Sequence, residues 1–284
     1  MILKKIVRLW RDGLRYLLIH LMPYEYFLSK TPKKHLSGLS VVVSLTTIPN
    51  RINKILPTLK SLTDQTVSPT VIYLAIPEHS KRENKPYIIP NFISECKNIT
   101  IISSAMDYGP ITKLLPALIK EKKSPNTIII AVDDDNIYPK NFVETFCNEH
   151  LKNPKQALTL CGRNLTSDLK WPINQKSLKG TYIKTPTPIE IAMGCGGIMV
   201  KPEFFEDNFT LYSNVPEEAI YVDDIWINGH LAKNKVQRYV IPIDSAYSYL
   251  QSITTLGSLS IDKKENKDSY YNNTTIAYFR QYWR

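Results

Sequence analysis

The N-terminal segment contains no apolar run fit to cross a membrane. Its longest uncharged stretch, Tyr16 to Tyr24, falls well short of the about 20 residues a spanning helix needs. Charges interrupt its apolar part and no small-residue cleavage site follows, which excludes an ordinary signal peptide. Cysteine is sparse. Cys96, Cys147, Cys161 and Cys195 form no CxxC pair and the five His residues make no zinc pattern, so neither a zinc module nor a disulfide framework is expected. These thiols are expected to be buried or half-buried, a usage that fits a reducing compartment. Glycine is also scarce, and no Gly-rich phosphate loop follows the first apolar strand. No nucleic-acid module, internal repeat or long low-complexity segment is present.

What remains is an ordinary globular balance of 43% hydrophobic and 22% charged residues, which excludes wholesale disorder. The net charge is +10 and unevenly spread. Residues 1–35 carry eight Lys and Arg against Asp12 and Glu25, a surplus of six. In residues 2–22, Leu3, Ile6, Trp10, Leu14, Leu17, Leu18 and Leu21 recur at helical spacing, with Lys4, Lys5, Arg8, Arg11, Asp12 and Arg15 mainly on the other side. This reads as an amphipathic helix ended by Pro23. The expected partner is an anionic membrane surface, met by the basic residues and the apolar face. The competing reading packs the helix on the domain or on another subunit.

From Leu39 the pattern changes. Leu39–Leu45, Val71–Ile76, Ile99–Ile102 and Thr127–Val132 are short apolar runs typical of buried parallel strands. Residues 52–63 and Thr112–Lys122 read as helices, the second shortened or distorted by Pro116. The order predicts an α/β fold with a mainly parallel sheet flanked by helices. We divide the chain into a basic segment and linker at 1–38, a catalytic domain at 39–250 and a tail at 251–284 that the pattern does not place. Within the domain, 39–140 and 141–250 form two halves. The second half is less regular: a helix at 141–151, strands at 157–162, 198–200 and 237–243, a polar loop from Ser167 to Pro188, and a helix within Val222–Ala232.

Asp133-Asp134-Asp135 directly follows an apolar strand. Three successive carboxylates repel each other, and ligands of open α/β sheets bind outside the carboxyl ends of the strands. Such oxygens suit Mg²⁺ or Mn²⁺, which fill their remaining positions with phosphate oxygens and water. A solvated turn capping the next helix is the plainer reading. Asp107-Tyr108-Gly109-Pro110-Ile111-Thr112-Lys113 puts a lysine near a helix start, a place for phosphate. Asp223-Asp224-Ile225-Trp226 offers a carboxylate base for an acceptor hydroxyl and a flat ring for a sugar, or simply a cap and a core residue. Gly194, Gly196 and Gly197 mark a close backbone approach or a tight turn.

Together, Ser44-Leu45-Thr46-Thr47-Ile48-Pro49-x-Arg51, Asp107-x-Gly109-Pro110-x-Thr112-Lys113, Val132-Asp133-Asp134-Asp135 with Tyr138-Pro139, the glycine cluster and Asp223-Asp224-Ile225-Trp226 resemble a family of bacterial GT-A-fold glycosyltransferases, family-2-like, of surface-polysaccharide assembly. The resemblance covers residues 39–245. It implies a GT-A-type sheet and transfer of a sugar from a nucleotide-sugar donor to a glycan or glycolipid acceptor, on lipopolysaccharide or capsule. It implies Mn²⁺ or Mg²⁺ as cofactor, held by Asp133 and Asp135. It assigns Thr46, Arg51, Asp107, Lys113, Asp133 and Asp134 to the donor, Asp224 first and Asp223 second to the base, and Gly196, Gly197 and Trp226 to the acceptor side. The motif that processive members carry near the C-terminus is missing, so one sugar per visit is implied. His230, one turn past the acids, reads as a packing residue on the helix surface. The implied place is cytoplasmic, on the inner face of the cell membrane. The alternatives are a nucleotidyltransferase, a metal-dependent hydrolase and an inactive membrane-associated carbohydrate-binding protein of the same fold.

Overall fold

In a computed structural model, residues 2–29, 38–124, 126–206, 209, 215–245, 248–249 and 265–283 are described. The Lys30–Ser37 part of the basic linker and residues 251–264 of the expected tail lie outside them. In chain order the elements are α1 Ile2–Leu21, α2 Tyr24–Leu28, β1 Ser40–Leu45, α3 Leu56–Thr63, β2 Val71–Pro77, the short pair β3 His79–Ser80 and β4 Lys85–Pro86, α4 Asn91–Ser94, β5 Ile99–Ser104, α5 Leu115–Glu121, β6 Thr127–Val132, β7 Asn136–Ile137 and α6 Phe142–Lys152. There follow β8 Gln156–Thr159, β9 Cys161–Arg163, β10 Leu178–Lys179, β11 Thr187–Ile189, β12 Ile191–Ala192, β13 Ile198–Val200, α7 Asp223–Lys233, β14 Gln237–Val240, β15 Ser248–Tyr249 and a C-terminal helix, Glu265–Tyr278.

Eight strands form one sheet in the order β11-β14-β8-β13-β6-β1-β2-β5. The pairs β5-β2, β2-β1, β1-β6 and β8-β14 are parallel. β13 runs antiparallel between β6 and β8, and β11 antiparallel to β14. The fold is therefore α/β with a mixed, mostly parallel central sheet flanked by helices.

Alternation along the strands splits the core in two. Val41, Val43, Leu45, Ile128, Ile130 and Val132 join one apolar cluster with Ile19 of α1, Phe27 of α2, Leu59 of α3 and Phe146 of α6. Val42, Ile129 and Ala131 join the other with Leu118 of α5, Trp226 of α7 and Phe279 just past the C-terminal helix.

Two expectations need revision, and the end of the chain finds its place. The Thr112–Lys122 helix is a 3₁₀ turn, Gly109–Lys113, followed by α5, with Pro116 in its first turn where a missing N–H costs little. The end of the Ser167–Pro188 loop is the edge strand β11, a position where Pro188 is tolerated. The tail, which the pattern leaves unplaced, ends on the domain: Ile276, Phe279 and Trp283 are buried in the second cluster, against α7. Among the described residues no helix is long and apolar enough to cross a membrane.

Candidate functional site

β6 delivers the acidic triplet to the carboxyl end of the sheet, and the three side chains part company there. Asp134 turns inward. Its Oδ1 accepts from Arg51 Nη1 at 2.8 Å, its Oδ2 from Thr47 Oγ1 at 2.6 Å, and its carbonyl from Thr58 Oγ1 at 2.8 Å. Burial raises its pKa while Arg51 and Thr47 oppose the rise. Both carboxylate oxygens therefore tie the loop after β1 to β6. Asp134 and Arg51, both expected at the donor, are a buried pair of 7% and 10% side-chain exposure.

Asp133 and Asp135 stay nearer the opening, at 31% and 17% side-chain exposure. Burial, then repulsion from Asp133 and Asp134, pushes the Asp135 carboxyl up to about 7. Tyr138 supports the turn from below. Its hydroxyl accepts from the Asp133 amide at 2.9 Å, and its own amide donates to Ser61 Oγ.

Lys113 joins the halves. Its Nζ lies 2.7 Å from Asp133 Oδ1 and 2.7 Å from Asp223 Oδ2, the first a hydrogen bond and the second an ion pair off the hydrogen-bond line. Burial alone would lower its pKa, but Asp133, Asp223 and Asp224 hold it well above the ordinary lysine value. Asp224 Oδ1 accepts from the Gly194 amide at 2.9 Å. Burial, then Asp223, pushes the Asp224 carboxyl up to about 8, with Lys113 opposing. Asn228 locks α7 in place by pairing with both backbone groups of Ala192 and with the Asp224 carbonyl.

Gly194 is the glycine at the site. A Cβ there would stand 2.3 Å from Lys113 Nζ, 3.1 Å from Asp133 Oδ1 and 3.2 Å from Asp224 Oδ1. Three charged groups thus converge on one hydrogen-sized gap. Gly196 and Gly197, expected on the acceptor side, pack instead: the first against the Cys161 backbone, the second at φ +73° against the Phe142 ring. Trp226 is also displaced from that role. It is 1% exposed, its ring 5.3 Å from Phe279 and 4.6 Å from His230, and it has no face to give a sugar.

Three other expectations take specific form. Thr46 spends its hydroxyl on the Ala75 carbonyl at 2.7 Å. Asp107 accepts from the Lys81 and Gly109 amides and shapes the turn leading to Lys113. His230 does pack, but inside: it is 6% exposed among Phe209, Trp226 and Phe279, with neither ring nitrogen hydrogen-bonded among the described residues, and burial lowers its pKa to about 4. Thr47, Thr58, Tyr138 and Asn228 went unread as site residues. Thr47 and the Tyr138-Pro139 pair stood in the motifs that carry the resemblance, without a role of their own. Cys96, Cys147 and Cys161 are buried and Cys195 half-buried, as expected.

Among the described residues no three His, Cys, Asp or Glu side chains converge to cage a metal ion. Two hard oxygen donors at alternate positions, Asp133 and Asp135, fit a cation that takes its other ligands from phosphates and water. No family model matches the chain, and no curated protein matches it.

Proposed function

We propose that the protein is a metal-dependent glycosyltransferase of the GT-A type, carrying a sugar from a nucleotide-sugar donor to an acceptor hydroxyl of a bacterial surface glycan at the inner face of the cell membrane. The observation that carries this reading is the convergence of Asp133, Lys113 and Asp224 on Gly194, beside Asp135, at the carboxyl end of the sheet. The resemblance supplies the reaction class; the arrangement supplies the parts it needs. Asp133 and Asp135 would hold Mn²⁺ or Mg²⁺, which when bound neutralises the diphosphate of the donor. Lys113, kept charged by three carboxylates, would pair with the phosphates. Asp107 and Arg51 act indirectly, by fixing the loops that carry Lys113 and the acids.

Asp224 would be the base. It takes the proton of the acceptor hydroxyl as that oxygen bonds the anomeric carbon and the sugar–diphosphate bond breaks. Its carboxyl is pushed up to about 8, so it must first lose its proton, and turnover should rise with pH toward that value. A nucleotidyltransferase is the weaker reading, because the loop Thr46–Arg51 after β1 holds no glycine to cradle phosphates. Asp224→Asn tests the assignment. Turnover should fall on the order of 10²-fold, the scale of a general base, with donor affinity kept and the rising limb of the pH profile lost. Lost donor binding with normal turnover would make Asp224 a binding residue.

A further inference from the structure

The N-terminal helix sits on the domain the opposite way round from what its charges lead one to expect. Its basic stripe faces inward. Arg8 donates to the Asp244 carbonyl at 2.5 Å, and Arg11 donates to the Ser245 hydroxyl, which itself donates to Asp12. Arg15 donates to Asp64 Oδ2 at 3.1 Å, to the Tyr138 carbonyl at 2.6 Å and to the Ser61 carbonyl at 3.2 Å. Ile19, one turn on, is fully buried in the core. After Pro23, α2 buries Tyr24 and Phe27, and the Tyr24 hydroxyl bonds Thr63 and Asn98. The helix is clamped along its inner edge.

The opposite edge is apolar and bare. Ile6, Leu9, Trp10, Leu14, Leu17 and Leu21 are all exposed, Trp10 by 77% and Leu21 by 70%. At 100° per residue, Arg8, Arg15 and Ile19 centre on one side and Trp10 and Leu17 about 180° away. A continuous apolar stripe of this size, on a helix held rigid by its other face, marks an interaction site.

We propose that this stripe is a lipid-docking face: α1 lies flat between the domain and a membrane, its apolar edge inserted among the headgroups and its arginines acting as struts to the domain. Charge selects this occupant. Residues 1–35 carry a surplus of six positive charges and the chain +10, so a second copy would set like charge against like. An anionic lipid surface is complementary. Arg11, whose side chain is 59% exposed, would lie within reach of headgroup phosphates. The strut Arg15 ends on Tyr138, whose hydroxyl holds the Asp133 amide. The docking face is therefore tied directly to the acidic turn of the site.

Truncation is the wrong test, since Ile19, Tyr24 and Phe27 belong to the core. The full chain and a Trp10→Ser/Leu14→Ser/Leu17→Ser variant should instead be co-sedimented with vesicles of phosphatidylcholine mixed with phosphatidylglycerol. Thermal melts would confirm that the variant, altered only at exposed positions, is folded. The wild type should pellet and the variant should lose at least about tenfold in partitioning, since each large apolar side chain buried is worth that factor or more. Trp10 should also shift its emission to the blue on vesicles. The other tryptophans are buried or half-buried, so Trp10→Phe should remove the shift while leaving pelleting largely intact. Equal pelleting of variant and wild type would overturn the proposal. So would a wild type that ignores vesicles but dimerises in light scattering while the variant does not, which would assign the stripe to a second copy.

Discussion

The two halves of the domain handle buried charge differently. Before Lys140, the buried groups that shape the site are matched locally. Asp134 has Arg51, Thr47 and Thr58, and Asp107 has the amides of Lys81 and Gly109. After it, Asp223 and Asp224 open a helix with no cation of their own half beside them among the described residues, and Lys113 of the first half stands against them. His230 is left among aromatic rings with no hydrogen-bond partner among the described residues. The first half is a finished scaffold. The second brings charge that is balanced only across the cleft, which is where a charged ligand could change the balance.

The sharpest way to break this contrast is Asp134→Ala. It removes the shorter of the two ion pairs of the buried Arg51 guanidinium, leaving Asp135 at 3.7 Å, and frees the loop after β1. Breaking a buried pair from one side costs about 3–5 kcal/mol, and chemical denaturation should show a loss of that size. A loss below about 1 kcal/mol, the scale of an exposed pair, would mean that Asp134 is no strut.

The second half should show its weakness toward acid. The pKa of His230 is lowered to about 4 in the fold, against about 6.5 unfolded. Between these values the unfolded chain binds the extra proton, so stability falls as pH drops from about 6.5 to 4, by about 3 kcal/mol in all. Asp135 and Asp224, whose carboxyls are raised, push the other way over an overlapping range. Comparing melts of wild type and His230→Phe at neutral and acid pH isolates the histidine: the variant should lose less stability on acidification. Identical acid losses would mean that the imidazole finds a partner or water.

How much of this the sequence discloses differs between the halves for a physical reason. β1, β2 and β6 are buried on both faces, so their apolar runs stand out, and the triplet after β6 follows at once; β5, at the edge of the sheet, is only partly covered. Asp223 and Asp224 open α7 inside the expected helix. Burial by distant segments is not written locally. Trp226 reads as a sugar platform until the C-terminal helix, some forty residues later, brings Tyr278 and Phe279 over it. In the glycine cluster, only the packed fold shows that Gly194 meets the charges while Gly196 and Gly197 meet Cys161 and Phe142. Likewise the stripes of α1 are plain in sequence, but which stripe faces the domain depends on acceptors at Asp64, Tyr138 and Ser245.

The smallest effect sharpens the contrast within the triplet itself. Asp135 has weaker partners than Asp134, Asn136 at 3.1 Å and Arg51 at 3.7 Å, and burial with the two adjacent carboxylates raises its carboxyl to about 7, so it takes stability away as pH rises from about 4 to that value. Asp135→Asn should therefore raise the melting temperature at about pH 8 by an order of 2–4 °C, the scale of about 1 kcal/mol in a domain this large. The gain should shrink as pH falls and vanish near pH 4, where the wild-type carboxyl holds its proton in the folded and the unfolded chain alike. A destabilised variant at pH 8 would place Asp135 with Asp134 as a structural residue.

The central claim is that the cleft binds a nucleoside diphosphate together with a divalent cation. Its most direct test is a thermal-shift panel of nucleoside diphosphates with and without Mn²⁺, on wild type and on Asp135→Asn. A ligand at 100 times its dissociation constant adds about 2.7 kcal/mol. At least one diphosphate should raise the wild-type midpoint by several degrees only when Mn²⁺ is present, with no such gain for Asp135→Asn. A wild type indifferent to every diphosphate, or a shift that survives in Asp135→Asn, would contradict the account.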